Sequence, residues 1–467
     1  MKKRSYLIYI IIAFAVLLIP FAGMTFWPTN RTTENTVLSE WPSFIEDGKP
    51  NVNYLEEMGE YFEDHFAFRL QMLTANAYVW AKGLDTSTTD QVVVGEDDWL
   101  YFGGTMDDYT GRNQLSDREL NAIVHNLSMM RDYTEFCGGR LVVTVAPNKN
   151  TLYNSAMPYY YQKGETSNLE RLVPLLEEEG IEYVDLTKAF QNEDEVLYFK
   201  RDSHWNNKGA LLAYNTIMDT LGKEHDTYFD VPAITRKDHI GDIDEILYPL
   251  AAEPEENIYY NKDWGFEYVN DVTDNMDDWI GTSNPDKEGT LLMYRDSFGE
   301  SILPFFADEY NKAYFSRLVP YNMENLLQYE PDTVIVERVE RQIAAFATEI
   351  PVMEGPRVQN IRPLEKETDT TLKTEQNGAY LVISGAVDQE CIDEDTEIYV
   401  AVSSEDRSRI TTYEAFWTLT NSGDGNGYQL YLRRESLPSD TVHIDVITSD
   451  GSEQWIVGSD DREIMWE

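Results

Sequence analysis

The sequence predicts an α/β domain built on a doubly wound parallel sheet, preceded by a transmembrane helix and followed by an all-β, sandwich-like domain. Three observations carry this. Between about residues 116 and 341, short buried runs alternate with helix-periodic segments, the pattern of βαβ units. Residues 6–27 form an uncharged, strongly apolar run behind Lys2-Lys3-Arg4. Beyond about residue 363 the helical period disappears, and strand-like runs are joined by Gly, Asn, Asp and Ser turns. At 467 residues the chain is also too long for one ordinary core.

The apolar run is long enough to cross a bilayer, and its basic N-terminal flank predicts a cytoplasmic N-terminus with the large remainder outside the cell. A cleaved signal peptide would have a shorter core ending in an A-x-A site, so an uncleaved anchor is expected. The expected division is a cytoplasmic tail at 1–4, a signal anchor at 5–27, a tether at 28–53, the α/β domain at 54–362 and a β-rich accessory domain at 363–467. Cys137 and Cys391 are too few for a disulfide framework and are expected as two unpaired buried thiols.

Residues 54–80 have helical spacing, interrupted at 64–69, where His65 reads as a packing or capping residue. Residues 91–94 and 99–102 read as a hairpin. Ser116-x-x-Glu119 and Ser167-x-x-Glu170 are capping-box patterns ahead of two helices, which Gly138-Gly139 and Gly180 end. Strands are expected at 141–145, 181–186, 290–294 and 333–337, and a helix at about 207–221. From about 223 to 288 periodicity is lost, which suggests an insertion or lid. Its Asp271, Asp274, Asp277 and Asp278 lack the spacing and glycine of an EF-hand and read as a solvated loop. In the C-terminal part, Trp417, Tyr428 and Trp455 read as packing residues rather than glycan platforms.

Composition excludes one class of partner. With 84 acidic against 37 basic residues, the formal net charge is −47, a field that repels nucleic acids and other polyanions. Metal-ligand spacing of the H-x-x-x-H or C-x-x-C kind is absent, and no cofactor is implied.

The chemistry points to the strand ends. In a doubly wound sheet, ligands bind beyond the carboxyl ends of the strands. Ser297 follows the run 290–294 and precedes Gly299 and a helix-like segment, so its hydroxyl stands on a tight strand-to-helix turn. Asp202 and His204 follow the run 196–199. At i and i+2 in an extended or loop segment, their side chains point to the same side. Asp202 can then orient the imidazole while His204 takes the Ser297 proton. Asn148, after another strand, is a candidate oxyanion donor alongside the amides near Ser297. Arg295, Arg341 and Trp205 are candidate substrate contacts, and Asp296 reads as a helix cap or a structural hydrogen-bonding partner rather than a second acid.

These motifs together resemble the DHHW family and its relatives, the alginate O-acetylation enzymes AlgJ and AlgX. The resemblance is carried by Asp202-Ser203-His204-Trp205 with Gly209-Ala210, by Asp296-Ser297-Phe298-Gly299, by Asp64-His65-Phe66-Ala67-Phe68-Arg69, by Val94-Gly95-Glu96-Asp97-Asp98-Trp99-Leu100-Tyr101 and by Pro147-Asn148-Lys149 with Tyr153. It covers about residues 41–341. It implies an SGNH-hydrolase-like fold, with Ser297 as nucleophile, His204 as base and Asp202 as orienting acid. It also implies O-acetylation of an extracellular polysaccharide, with acetyl supplied by a membrane-bound O-acyltransferase partner. Ser203 stands where the family's motif has a second histidine, and Arg295 where the alginate enzymes have glycine, so the acceptor does not carry over. An acetylesterase using the same residues, and a non-catalytic glycan-binding or assembly protein, remain open readings.

Overall fold

The computed structural model describes residues 2–30, 38–46, 48–366, 368–420, 425–464 and 466. Helix α1 (Lys2–Gly23) contains a stretch, Arg4–Gly23, of mean hydropathy 2.5, long and apolar enough to cross a membrane. Its end rests on the joint between α2 (Tyr54–His65) and α3 (Arg69–Leu84). There the Ala67 amide donates to the Pro20 carbonyl at 3.0 Å, and the Phe21 and Phe62 rings lie 5.2 Å apart. His65 stacks on Tyr61, in keeping with a packing role. Of the expected tether, residues 31–37 and 47 lie outside the described residues. Ser39 in the described part donates from its amide and hydroxyl to Asp64.

The antiparallel hairpin of Val92–Val94 and Leu100–Phe102 precedes the main domain. Both capping boxes form: Ser116 opens α4 (Asp117–Phe136) and Ser167 opens α5 (Asn168–Glu178). Strands β1 (Arg140–Ala146) and β2 (Tyr183–Val184) follow their helices, and α6 (Asn207–Leu221) starts on an Asn206 cap. The segment from 223 to 288 is far from structureless. It holds β3 (Ala233–His239), α7 (Asp242–Leu247), β4 (Glu255–Tyr260), β5 (Glu267–Tyr268) and β6 (Trp279–Ser283). Helical periodicity is missing there because its regular elements are mostly short strands joined by loops, and among the described residues β3 pairs only with β4.

Then come β7 (Thr290–Tyr294), α8 (Gly299–Glu309), β8 (Lys312–Ser316) and β9 (Thr333–Val339). The seven-stranded sheet has the order β2-β1-β9-β7-β8-β6-β5. Strands β2 to β8 in that order run parallel, and β6 and β5 close the edge antiparallel. β7 and β9 are central and almost wholly buried, which explains the apolar runs at 291–294 and 334–336.

The C-terminal region forms a six-stranded and a four-stranded sheet. Ile383 and Leu430 of one and Val400, Ile444 and Val446 of the other share a buried cluster that continues into α4 and one face of the main sheet. At this junction the Arg118 guanidinium lies 3.7 Å from the Trp417 ring and His125 stacks against the same ring at 4.2 Å. Asn126 donates to the Phe346 and Trp417 carbonyls and accepts from the Trp417 amide. Trp417 and Tyr428 are buried. Of the Gly423-Asp424-Gly425-Asn426-Gly427 stretch, one of the glycine-rich turns that the sequence places between C-terminal strands, residues 423 and 424 lie outside the described residues. Cys137 and Cys391 are free and half-buried rather than fully buried.

Candidate active site

Three chain segments meet at the carboxyl ends of the strands. The turn after β7 is built from beneath by two acids, half-buried Asp296 and buried Glu337. Asp296 accepts from the Phe298 amide at 2.8 Å and, through its other oxygen, from the Val339 amide at 2.8 Å, so it is the structural partner its position suggested. Glu337 accepts from the Asp296 amide at 3.1 Å; burial and the Asp296 charge hold its carboxyl well above the usual range. At Gly299 an added Cβ would lie 2.5 Å from Arg295 Cδ and 2.7 Å from Arg295 Cβ, so glycine is needed for Arg295 to fold under the first turn of α8. The result is a rigid turn that carries Ser297.

The loop of Asp202 and His204, which follows the apolar run 196–199, is closed by an isolated antiparallel bridge between Tyr198 and Trp205. Beneath it, the Lys149 ammonium donates to the carbonyls of Phe199 at 3.2 Å, Lys200 at 3.0 Å and Asp202 at 2.5 Å; burial pulls its pKa down to about 8. Gly241 lets the start of α7 approach the same loop, since a Cβ there would lie 2.3 Å from the Arg201 carbonyl. Arg201 is further tied to Asp244 of α7 by a buried ion pair.

Ser297 Oγ lies 2.8 Å from His204 Nε2, and His204 Nδ1 lies 2.7 Å from Asp202 Oδ1. An ionised carboxylate only accepts, so Nδ1 carries the proton and Nε2 offers its lone pair to the serine hydroxyl. The same Asp202 oxygen also accepts the His204 amide at 2.7 Å. The imidazole packs on the Phe298 ring, with centroids 4.7 Å apart. Burial alone would lower the His204 pKa, but the charge and hydrogen bond of Asp202, then the Asp242 charge, raise it. Burial pushes Asp202 the other way, yet the two histidines that face it, His204 and His239, hold it well below the usual carboxylate range.

Sequence reasoning missed His239 and Asp242, both in the segment read only as an insertion. His239 Nε2 lies 2.9 Å from Asp202 Oδ2, and the Asp242 amide donates to that oxygen at 3.1 Å. Asp242 in turn accepts from the Ser203 amide and hydroxyl. The signal available was His239-Ile240-Gly241-Asp242, a histidine and an acid bracketing a glycine just before a short helix. Among the described residues, Asp202, His204 and Asp242 also form the one His/Cys/Asp/Glu grouping compact enough for a metal ion, with ligand atoms within 4.8 Å. Each of these side chains already has a protein partner.

The site opens into a cavity of about 850 Å³, a volume that suits a small ligand or a few sugar units. Phe102, Trp205, Tyr260, Trp264 and Phe305 give it aromatic walls, and Asn207, Asn257, Asn275 and Ser301 give it polar ones. Trp205 donates its indole N–H to Ser301 at 2.9 Å. Arg341 lines the cavity next to Phe298, with its guanidinium 5.9 Å from that ring, and among the described residues it makes no hydrogen bond or ion pair. The Ser297 amide likewise makes no hydrogen bond.

Asn148 and Arg295 are not brought into this cavity. The Asn148 amide group donates to half-buried Asp108 at 3.1 Å while its backbone N–H donates to buried Glu340, so it is spent on neighbouring acids. Arg295 is 2% exposed and turns its guanidinium to the carbonyls of Asn275, Asp277 and Asp296. It reaches the cavity only by holding the loop that supplies Asn275 and Met276. That loop is the acidic cluster, and it is internally bonded: Asp277 accepts the Thr273 amide and Asp274 the Met276 amide.

Residues 92–262 match the family described as the SGNH hydrolase-like domain of acetyltransferase AlgX. That segment includes Asp202, His204, His239 and Asp242 and ends before Ser297. Comparison with curated proteins returned no match. Similar solved structures include PatB1 of Bacillus cereus with a sulfonyl adduct, at 15% identity, covering 55% of this chain and 97% of that one, with a TM-score of 0.44. A DHHW family protein from Eubacterium siraeum is 15% identical over 56% and 96% of the two chains, with a TM-score of 0.43. The O-acetyltransferase domain of Pseudomonas putida AlgJ is 15% identical over 54% and 92%, with a TM-score of 0.38. The resemblance read from the sequence is borne out over residues 92–262, which are similar to the SGNH hydrolase-like domain of acetyltransferase AlgX.

Proposed function

We propose that the protein is a membrane-anchored O-acetyltransferase that acetylates hydroxyls of an extracellular or cell-surface polysaccharide through an acetyl-serine intermediate. The observation that carries this reading is the continuous chain from Ser297 Oγ through His204 to Asp202, at 2.8 and 2.7 Å. In the first half-reaction Ser297 Oγ attacks the carbonyl carbon of an acetyl donor. His204 Nε2 takes the hydroxyl proton and passes it to the leaving group as that bond breaks. In the second, a sugar hydroxyl gives its proton to Nε2, its oxygen attacks the acetyl carbon, and Ser297 Oγ leaves and regains the proton. The oxyanion of each step meets the free Ser297 amide and the Arg341 guanidinium, both without a competing partner.

The aromatic walls and amide side chains suit the faces and hydroxyls of a pyranose. Helix α1 would hold the catalytic domain at the outer membrane surface, where a membrane-bound O-acyltransferase partner delivers acetyl. To test this, the full chain in detergent, wild type and Ser297→Ala, is given a chromogenic acetyl ester with and without neutral oligosaccharides. The reading expects Ser297-dependent acetyl transfer, seen by mass spectrometry of the sugars. Ser297-dependent acetate release with no acetylated sugar would make the protein an esterase. Equal background turnover by both chains would refute catalysis by Ser297.

A further inference from the structure

The segment between α6 and β7 does more than roof the cavity. From Ala233 to Asp238 every residue of β3 is exposed, and the exposure ends at His239. There the ring lies flat on Phe199, with centroids 3.8 Å apart and planes 10° from parallel, and Nε2 reaches Asp202 Oδ2. The Asp202 carboxylate therefore meets four N–H donors. His204 Nδ1 and the His204 amide meet one oxygen, while His239 Nε2 and the Asp242 amide meet the other. A carboxylate held only on one side can rotate about Cβ–Cγ and share its charge differently between its oxygens. Four donors divided between the two oxygens fix both its plane and that division.

We propose that His239 is a positioning residue of the acyl-transfer reaction: its Nε2–H clamps the Asp202 carboxylate in the plane that faces His204 and tempers how strongly His204 holds a proton. This rests on the reading of Ser297, His204 and Asp202 as the reacting set. Several charged groups face His204. Asp202 lies on its own loop, and Asp242 at the start of α7 is 3.8 Å from Nδ1. Arg341 follows β9, and Lys149 holds the Asp202 carbonyl from below. Losing the His239 donor leaves more negative charge on the oxygen that His204 sees. His204 becomes more basic and releases its proton less readily, and the carboxylate loses its fixed plane.

Two substitutions separate the clamp from mere packing. His239→Phe keeps a flat ring against Phe199 and donates nothing. His239→Gln loses the ring and keeps an N–H for Asp202. The full chain in detergent, labelled with 13C at histidine Cε1, is titrated by NMR in each form, with the His204 signal assigned by its loss in His204→Gln; kcat and KM are measured with a chromogenic acetyl ester. His239→Phe is expected to raise the His204 midpoint and to lower kcat on the order of tenfold with KM unchanged. His239→Gln is expected to recover both toward wild type. An unmoved His204 midpoint in His239→Phe, or equal effects of the two substitutions, overturns the proposal. If Ser297→Ala turns over as well as wild type, the catalytic reading fails on its own, while the titration still decides whether His239 acts on His204.

Discussion

Replacing Asp202 by Asn is the sharpest perturbation, because the structure says what the amide must do. Four N–H donors converge on the carboxylate, two per oxygen. An amide offers only one carbonyl oxygen, so its NH2 necessarily faces two donors. If the oxygen stays on the His204 side, the ring keeps its tautomer, while the Asp242 amide is stranded and His239 must change tautomer. If it turns the other way, His204 Nδ1 must lose its proton or its partner, and Nε2 no longer presents a lone pair to Ser297. Either way the imidazolium of the transition state loses an opposite charge at 2.7 Å. In serine hydrolases the equivalent substitution costs about 10⁴ in kcat, or about 5.5 kcal/mol, and a fall on the order of 10³ to 10⁴ is expected here, with KM little changed. The pH profile moves in a stated direction. Catalysis needs neutral His204, so activity rises with pH through the His204 pKa, which Asp202 raises above its ordinary value. Without that charge the lowering by burial prevails, and the rising limb shifts to more acidic pH as its height collapses. The assay is kcat against pH with a chromogenic acetyl ester. A kcat within a few-fold of wild type, or a limb that does not move, would refute the reasoning.

Other perturbations probe the surrounding parts. Arg341→Gln removes an oxyanion donor and is expected to lower kcat about 10²-fold; since the Arg341 charge pulls the His204 pKa down, the rising limb should move to more alkaline pH, opposite to Asp202→Asn. Gly299→Ala forces a methyl against Arg295 and is expected to cost about 1–3 kcal/mol in urea unfolding, with turnover falling as Ser297 shifts; wild-type stability would contradict the packing argument. Trp417→Ala empties the junction between Arg118 and His125 and is expected to cost about 3–5 kcal/mol. Because that buried cluster is continuous, a single joint unfolding transition should move; a shift confined to a separate C-terminal transition would show that the β sheets fold independently.

Much of the scaffold was legible because the local signals agree with the tertiary context. Ser116 and Ser167 form the capping boxes their spacing announced, and β7 has the bounds of its apolar run. Asp202 and His204 were legible because a two-residue offset in a loop already places them together. His239 was not, since its partner is 37 residues away and its own strand is polar and exposed, with no period to read. Asn148 and Arg295 show the opposite failure. Their positions at strand ends were read correctly, but a strand end does not dictate where a side chain points. Asp108 and Glu340 claim Asn148, and the carbonyls of residues 275–277 claim Arg295. Arg341, also just past a strand end, lines the cavity and, among the described residues, makes no hydrogen bond or ion pair.

The central claim is that acetyl passes through Ser297. The full chain in detergent, mixed with an acetyl donor, quenched in acid within one turnover and digested, is mapped by mass spectrometry. The account predicts one acetyl group on the peptide containing Ser297, formed before product, discharged when acceptor sugar is added, and absent in Ser297→Ala. Product formation at the wild-type rate with Ser297 unmodified, or with acetyl on another residue, would contradict it.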